Sequence, residues 1–143
     1  MILVDANLLL YAHNASAKQH EGARTWLVEV FSGTEVVGLP WATLLAFLRV
    51  GTNPRAFPNP LTLPEGIEIV SEWLDQPPVR LVAPTDRHWD VLAALLPNAQ
   101  AKGPLVTDAH LAALAIEHGA LLCSTDSDFS RFPGLRYRNP LAS

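Results

Sequence analysis

The sequence predicts an α/β fold with a mainly parallel sheet of four to five strands that helices cover on both faces. Short apolar runs alternate with longer segments of helical periodicity along the 143 residues, and this alternation predicts right-handed strand–helix–strand units. Hydrophobic residues make up 49% of the chain and charged residues 17%, a balance that fits a doubly covered sheet and argues against disorder. The length predicts one domain, residues 1–143, with a single core.

Two strands and four helices are predicted in the first half of the chain. The strands are residues 1–4 and 36–39, and the helices are residues 8–11, 18–31, 40–50 and 64–74. Gly33 and Gly51 follow two of these helices and predict their ends. Several prolines within residues 51–64 predict a long irregular loop. The helix at residues 40–50 is almost entirely apolar, so we expect it to be largely buried.

Three strands and two helices are predicted in the second half. The strands are residues 79–83, 120–123 and a short segment at 136–138, and the helices are a segment reaching about residue 96 and one at 108–118. Thr85 and Thr107 precede these helices, and we expect each to cap one. Gly119 predicts the end of the second helix. In the helix after Thr85 we expect Trp89, Leu92 and Leu96 to face inward.

Four aspartates follow apolar strands or begin a helix. Asp5 ends the first apolar run, Asp126 and Asp128 follow the strand at 120–123, and Asp108 opens a helix. Taken alone, Asp108 fits an ordinary acidic residue at a helix start, and Asp126 with Asp128 fits a turn. Together they predict a shared site, because the carboxyl ends of parallel strands meet at one edge of a sheet. Carboxylates gathered there repel one another unless Mg²⁺ or Mn²⁺ holds them.

Metal-assisted hydrolysis is the chemistry that such a group of carboxylates supports. A divalent ion lowers the pKa of a bound water to give hydroxide near neutral pH, and it polarises a phosphoryl oxygen. Asn7 and Thr125 are candidates to orient ligands or water, although each also fits a plain turn or loop role. Arg49 is a candidate to bind the substrate phosphate.

The formal net charge of −4 counts against a nucleic-acid partner, but bound cations would reverse the local field. If RNA binds, basic residues must surround the site, and the candidates are Arg49, Arg55, Arg87, Lys102 and Arg131. No apolar run approaches the length needed to cross a bilayer, and the N-terminus lacks a secretory pattern. We therefore expect a cytoplasmic location and no membrane partner. Cys123, the single cysteine, is expected to be a buried small hydrophobe.

Three segments resemble the PIN-domain ribonucleases and, within them, the VapC-type toxins of toxin–antitoxin pairs. They are Val4-Asp5-Ala6-Asn7, residues 106–115 with Thr107-Asp108-Ala109-His110, and Ser124-Thr125-Asp126-Ser127-Asp128-Phe129. Residues 39–50 and Asn53-Pro54 resemble one VapC subgroup. The resemblance therefore spans nearly the whole chain, and its strength lies in the order and spacing of the motifs.

This resemblance implies a three-layer α/β/α sandwich and Mg²⁺- or Mn²⁺-dependent cleavage of RNA by metal-activated water. It also implies homodimerisation and inhibition by a VapB-like antitoxin. By the match, Asp5, Asp108 and Asp126 correspond to metal-binding, catalytic positions, and Asp128 is a further acidic residue of the catalytic set. We therefore expect this chain to be the endoribonuclease toxin of a VapBC-type pair.

One departure from the family pattern concerns a glutamate that most PIN nucleases carry on the helix after the second strand. Ala46 stands at the matching position, and no glutamate occurs in residues 36–64. A methyl group binds no cation, so we expect weaker metal binding. The same departure supports an alternative, a degenerate PIN module that binds RNA or a partner protein without cleavage.

A second alternative is a phosphatase of the haloacid dehalogenase type. Asp126-Ser127-Asp128 after an apolar strand is similar to the motif of that family, whose first aspartate is a covalent nucleophile. That family places the motif near the start of its domain, with a lysine downstream. Here residues 129–143 follow the motif, and none of them is lysine.

Overall fold

A five-stranded parallel sheet lies between two layers of helices in the computed structural model, which describes residues 1–142. The strands are β1 (Ile2–Val4), β2 (Val37–Pro40), β3 (Val79–Val82), β4 (Leu121–Cys123) and β5 (Tyr137–Arg138). The helices are α1 (Ala6–Ala12), α2 (His20–Phe31), α3 (Trp41–Gly51), α4 (Leu63–Leu74), α5 (His88–Asn98) and α6 (Leu105–Glu117), with a 3₁₀ helix at Ser127–Arg131. The strand order is β3-β2-β1-β4-β5, and the predicted α/β fold with three layers is confirmed.

The two faces of the sheet have separate cores, because successive residues of a strand point to opposite faces. Ile2 and Val4 of β1 pack with residues of α1, α2, α3 and α4. Leu3, between them, packs with residues of α5, α6 and the 3₁₀ helix. All three residues of β1 are buried, as expected for a central parallel strand covered on both sides.

The central position of β1 determines which chain segments meet at the carboxyl edge of the sheet. Strand β1 pairs with β2 on one side and β4 on the other, and the register places Val4 opposite Cys123. The amide of Asp5 donates to the Cys123 carbonyl at 3.0 Å, which continues the ladder by one step. Asp5 and Ser124 therefore leave adjacent strands side by side.

Several helix starts differ from the predicted ones. Helix α1 begins at Ala6 because Asp5 caps it, two residues before the predicted start. Thr85 is not the cap of α5, since its hydroxyl accepts from the Arg87 amide at 3.2 Å in the preceding turn. Thr107 lies inside α6, not at its cap, because the chain already turns helically before it: the Val106 amide donates to the Gly103 carbonyl at 3.0 Å.

Burial differs from the prediction on two helices. Trp41 and Leu45 of α3 are 53% and 60% exposed, while Leu44 and Phe47 of the same helix are buried. The expectation of a largely buried α3 was therefore wrong for one of its faces. Trp89 of α5 is 69% exposed, so its predicted inward orientation was wrong as well. Within residues 1–142, no helix has both the length and the apolar character needed to cross a membrane.

Candidate active site

The first carboxylate of the site is held by two hydrogen bonds at the tip of β1. Asp5 Oδ1 accepts from the Ala6 amide at 2.8 Å, which caps α1, and Asp5 Oδ2 accepts from the Ser124 hydroxyl at 2.7 Å. Behind it, the buried Thr43 hydroxyl of α3 donates to the Val4 carbonyl at 2.7 Å. These contacts fix Asp5 with respect to α1, α3 and β4.

Ser124 connects three segments of the site, a role that was not predicted from the sequence. Its side chain is fully buried, and its Oγ accepts from Asn7 Nδ2 at 3.2 Å and from the Asp126 amide at 3.0 Å while donating to Asp5. One donor and two acceptor positions are the full capacity of a hydroxyl. The signal in the sequence was its place as the first polar residue after the apolar strand β4.

Asn7 and Thr125 were both predicted to orient ligands, and the structure distinguishes them. Because Ser124 Oγ already donates to Asp5, it can only accept from Asn7, which fixes the orientation of the Asn7 amide. Asn7 Oδ1 is then buried and has no hydrogen-bond partner among residues 1–142. Thr125 is half-buried and makes no side-chain hydrogen bond within that range.

Three carboxylates converge beside this network. Asp108, in the first turn of α6, and Asp126 and Asp128, at the start of the 3₁₀ helix, each have an oxygen within 4.8 Å of the other two. Asp126 Oδ1 accepts from the Asp128 amide at 2.9 Å, which orients its carboxylate. The predicted metal-binding set joined Asp5 to Asp108 and Asp126, whereas Asp128 completes this group of three and Asp5 lies outside it.

The electrostatics of the site show that these acids repel one another. Loss of hydration, followed by repulsion from Asp126, Asp5 and Asp128, raises the pKa of Asp108 from 3.8 to about 6. Burial also raises the pKa of Asp5, against the effect of its two hydrogen bonds, and the charge of Asp126 adds to the rise. Asp5 therefore shares the electrostatic field of the other three acids although it lies outside the group of three.

Two clefts meet at Asp108. The wide cleft, of about 1010 Å³, has both acidic and basic residues in its lining, and these are Asp108, Asp126, Asp128, Lys102 and Arg131. The narrow cleft, of about 360 Å³, is lined by residues that include Asp5, Ala46, Arg49, Thr107 and Asp108. Of the five basic candidates, Arg49, Lys102 and Arg131 thus line a cleft beside the acids, whereas Arg55 and Arg87 line neither.

A second polar cluster lies between α5 and α6. Glu117, whose side chain is 0% exposed, accepts from the Thr85 amide at 2.7 Å and contacts His88 Nδ1 at 2.7 Å. His88 Nε2 in turn lies 2.9 Å from His110 Nδ1. Burial acts to raise the pKa of Glu117, but the hydrogen bonds from Thr85 and His88 outweigh this effect and lower the pKa. His110 therefore belongs to a polar cluster in which α5 packs against α6.

The side chains of His13 and Cys123 take part in packing. The His13 ring lies 5.7 Å from the ring centres of Phe47 and Trp73. Cys123 is buried, and burial raises the pKa of its thiol to about 11, so the thiol is inert at neutral pH.

Comparison with known proteins decides the family. A family model described as PIN domain matches residues 2–135. The chain belongs to the PIN domain family. Ribonuclease VapC37 of Mycobacterium tuberculosis (strain ATCC 25618 / H37Rv) is 47% identical to this PIN domain over 142 residues, which cover 99% of both chains. Ribonuclease VapC33 of the same strain is 40% identical over 141 residues, again 99% of both chains.

Solved structures show the same fold at low sequence identity. VapBC2 from Rickettsia felis, solved with a DNA fragment of its promoter, matches with a TM-score of 0.69 and 17% identity, over 97% of this chain and 98% of the other. M. tuberculosis VapC20, described as a sarcin-ricin loop cleaving toxin, matches with a TM-score of 0.66 and 20% identity, over 95% and 99%. The resemblance to VapC-type PIN domains is confirmed, and the phosphatase alternative is excluded by the family.

Proposed function

We propose that this PIN domain is a cytoplasmic Mg²⁺- or Mn²⁺-dependent endoribonuclease and the toxin of a VapBC-type pair. The observation that carries the proposal is the convergence of Asp108, Asp126 and Asp128 within 4.8 Å, with the pKa of Asp108 raised to about 6. Perturbed carboxylates in a cleft are typical of functional sites. Relatives that are 40% and 47% identical carry the name ribonuclease, which supports an RNA phosphodiester as the substrate.

The residues present fit a hard divalent cation. Carboxylate oxygens are the ligands that Mg²⁺ and Mn²⁺ prefer. Asn7, whose Nδ2 bonds the same Ser124 hydroxyl that Asp5 accepts from, adds a buried acceptor without a partner, its Oδ1. Asp108, Asp126 and Asp128 would hold the ion, together with Asp5. When bound, the ion would supply an activated water and stabilise negative charge on the phosphate.

The side chains around the acids have positioning roles in this proposal. Ser124 and the Ala6 amide hold both oxygens of Asp5, and the Asp128 amide holds one oxygen of Asp126. Arg49, in the narrow cleft with Asp5 and Asp108, would bind the substrate phosphate. Asn7 and Thr125 would orient water beside the carboxylates.

Ala46 supports the second candidate function, a PIN module that binds RNA without cutting it. Ala46 lines the narrow cleft with Asp5 and Asp108, where a longer acidic side chain would add a ligand. Four acids remain without it, and Mg²⁺ commonly keeps several of its waters. We therefore favour weakened metal binding with retained cleavage over a module without activity.

A second copy of the chain and a VapB-like antitoxin are the proposed protein partners. The structures from R. felis, Haemophilus influenzae and Salmonella typhimurium that share this fold are described as VapBC complexes. Helices α3 and α4 expose large apolar side chains, Trp41, Leu45, Leu63 and Ile67. Exposed apolar side chains of this kind are typical of interaction surfaces.

The proposed function is tested by cleavage of structured RNA by the purified chain, freed of any antitoxin. We expect cleavage with Mn²⁺ or Mg²⁺, none with EDTA, and loss of cleavage in Asp5→Asn. The matched control is Asp75→Asn, an exposed aspartate at the end of α4, which should leave cleavage intact. Metal-independent cleavage that survives Asp5→Asn would refute the assignment. Retained RNA binding without cleavage at high Mn²⁺ would favour the binding module.

A further inference from the structure

Pro40 ends β2 at the point where the parallel ladder with β1 requires a backbone donor. Ile2 lies opposite Val37, and the Ile2 amide donates to the Val36 carbonyl at 3.0 Å. Every second residue of a parallel strand bonds the same neighbour, so the Val4 carbonyl should accept from the amide of residue 40. Proline has no amide N–H. The ladder between β1 and β2 therefore stops one hydrogen bond short of the carboxyl edge of the sheet.

A threonine side chain supplies the missing donor. The Thr43 hydroxyl donates to the Val4 carbonyl at 2.7 Å, and both residues are buried. A buried carbonyl without a donor lowers stability, and this bond satisfies it. Thr43 belongs to the first turn of α3. The exchange of a backbone bond for a side-chain bond thus ties α3, instead of the end of β2, to the tip of β1.

This bond fixes the position of α3 across the narrow cleft from Asp5. Asp5 lines one side of the cleft, and the residues of α3 that line it are Ala42, Thr43, Ala46 and Arg49. Residues three and four apart lie on the same side of a helix, so these four form one face. Arg49 is the charged residue of that face and is exposed. The distance of its guanidinium from Asp5 therefore depends on where Thr43 holds the helix.

We propose that Thr43 is a positioning residue of the narrow cleft, which acts by holding Arg49 at the place where the guanidinium meets a substrate phosphate beside Asp5. Pro40 makes this role possible, because a backbone donor at position 40 would occupy the Val4 carbonyl. The inference rests on the proposed ribonuclease function. It adds a residue for which the sequence predicted no role.

The acids of the site are held independently of Thr43. Both oxygens of Asp5 accept hydrogen bonds, from the Ala6 amide and the Ser124 hydroxyl. The group of three acids lies on α6 and the 3₁₀ helix, not on α3. Loss of the Thr43 bond would therefore release α3 and leave the carboxylates in place. The expected consequence is a higher KM for RNA with little change in kcat.

The test compares Thr43→Val, which keeps the shape of the side chain without its hydroxyl, with Thr43→Ser, which keeps the hydroxyl. On the RNA that the unmutated chain cleaves, we expect Thr43→Val to raise KM about fivefold to tenfold with kcat within about twofold. Thr43→Ser should match the unmutated chain. The matched control is Thr52→Val, because the Thr52 hydroxyl bonds the Leu48 carbonyl of its own helix at 2.6 Å. Its KM should be unchanged.

Binding without cleavage gives a second readout. Fluorescence anisotropy of the labelled RNA in the Asp126→Asn background should show the same order of affinities. In the Arg49→Ala background, Thr43→Val should weaken binding by less than about twofold more, because residues that act through one contact are not additive. Full additivity of the two changes would overturn the route through Arg49.

A double variant separates positioning from stability. Thr43→Val should lower the urea midpoint, because it leaves the Val4 carbonyl without a donor. Pro40→Ala restores a backbone amide at position 40, so Pro40→Ala/Thr43→Val should recover the midpoint while its KM stays high. If KM returns to normal together with the midpoint, Thr43 only satisfies a carbonyl and the inference is wrong.

Failure of this inference can be distinguished from failure of the proposed function. If the unmutated chain cuts RNA in an Asp5-dependent manner but Thr43→Val has the KM of Thr52→Val, the inference is wrong and the nuclease function stands. If the chain neither binds nor cuts any RNA, both are wrong.

Discussion

Helix α6 carries two polar clusters whose carboxylates have pKa values shifted in opposite directions. Near its start, Asp108 faces Asp126 and Asp128, which have the same charge, and repulsion and burial raise its pKa to about 6. At its end, the side chain of Glu117 is buried, and the hydrogen bonds that it accepts from the Thr85 amide and His88 lower its pKa in spite of this burial. In the first cluster like charges face one another, with only an exposed ion pair from Arg131 to Asp128, whereas the second is satisfied by hydrogen bonds within the protein.

This difference separates a proposed metal-binding site from a structural contact. A carboxylate with a raised pKa is in an environment that opposes its charge, so a cation can gain free energy by binding there. A carboxylate with a lowered pKa already has its partners, and its contribution is to hold α5 and α6 together. The comparison predicts opposite effects of mutation at the two ends of one helix.

The largest effect is expected for Asp126→Asn in the acidic cluster. We expect RNA cleavage to fall by about 100-fold or more, because loss of even an outer-shell partner of a metal ligand commonly costs about 10- to 100-fold. Asparagine keeps an acceptor for the Asp128 amide, so the metal-free protein should melt at the same temperature or higher. Kinetics at saturating Mn²⁺ and a melting curve in EDTA check both parts. Unchanged cleavage would remove Asp126 from the site.

The next effect is expected at the other end of the helix. Glu117→Ala should lower the free energy of unfolding by about 2–3 kcal/mol, because it leaves the Thr85 amide and His88 without their acceptor. Glu117→Gln keeps one acceptor and should have a smaller effect. Urea unfolding measures the loss. Cleavage per folded molecule should stay within about twofold of the unmutated chain, and a deficit like that of Asp126→Asn would show that the clusters do not act separately.

The pH dependence of stability should have opposite signs at the two clusters. The folded state raises the pKa of Asp108 from 3.8 to about 6, so the folded chain binds more protons, and stability in EDTA should fall as pH rises from 4 to above 6. With solvent screening the fall is about 1–2 kcal/mol. Asp108→Asn should reduce it to the part that comes from the raised pKa of Asp5, as urea unfolding across this range would show. The lowered pKa of Glu117 has the opposite effect. The stability that Glu117 contributes is lost as the pH falls from the ordinary pKa of a glutamate through the lower pKa of the folded state. A fall of undiminished size in Asp108→Asn would show that Asp108 is not its origin.

The smallest expected effect comes from restoring the glutamate. Ala46→Glu places an acid in the narrow cleft with Asp5 and Asp108. We expect about fivefold to tenfold tighter Mn²⁺ binding by calorimetry, with lower stability in EDTA because one more like charge is added. Ala46→Gln adds similar volume without charge and is the matched control. If the unmutated chain binds Mg²⁺ tightly and Ala46→Glu brings no gain, the missing glutamate does not limit metal binding.

The acids of the site could be found from the sequence because each has a local signature. Asp5 ends the apolar strand β1, Asp126 and Asp128 follow β4, and Asp108 lies in a helical first turn. The residues that position them have no such signature. Ser124 bonds Asp5 and Asn7 at chain separations of 119 and 117 residues, contacts that only the pairing of β1 with β4 creates. Which three acids approach one another likewise depends on that pairing.

The sequence by itself determined the alternation of strands and helices, the parallel sheet covered on both faces, and the four acids at its carboxyl edge, because hydrophobic periodicity and chain order are local properties. The tertiary structure decided what lies between those elements. It joined Glu117 to His88 across α5 and α6, and it divided the cations between two clefts at Asp108. The physical reason is that a side chain's hydration and charge environment are set by neighbours distant in the chain, and these exist only once the sheet and helices have packed.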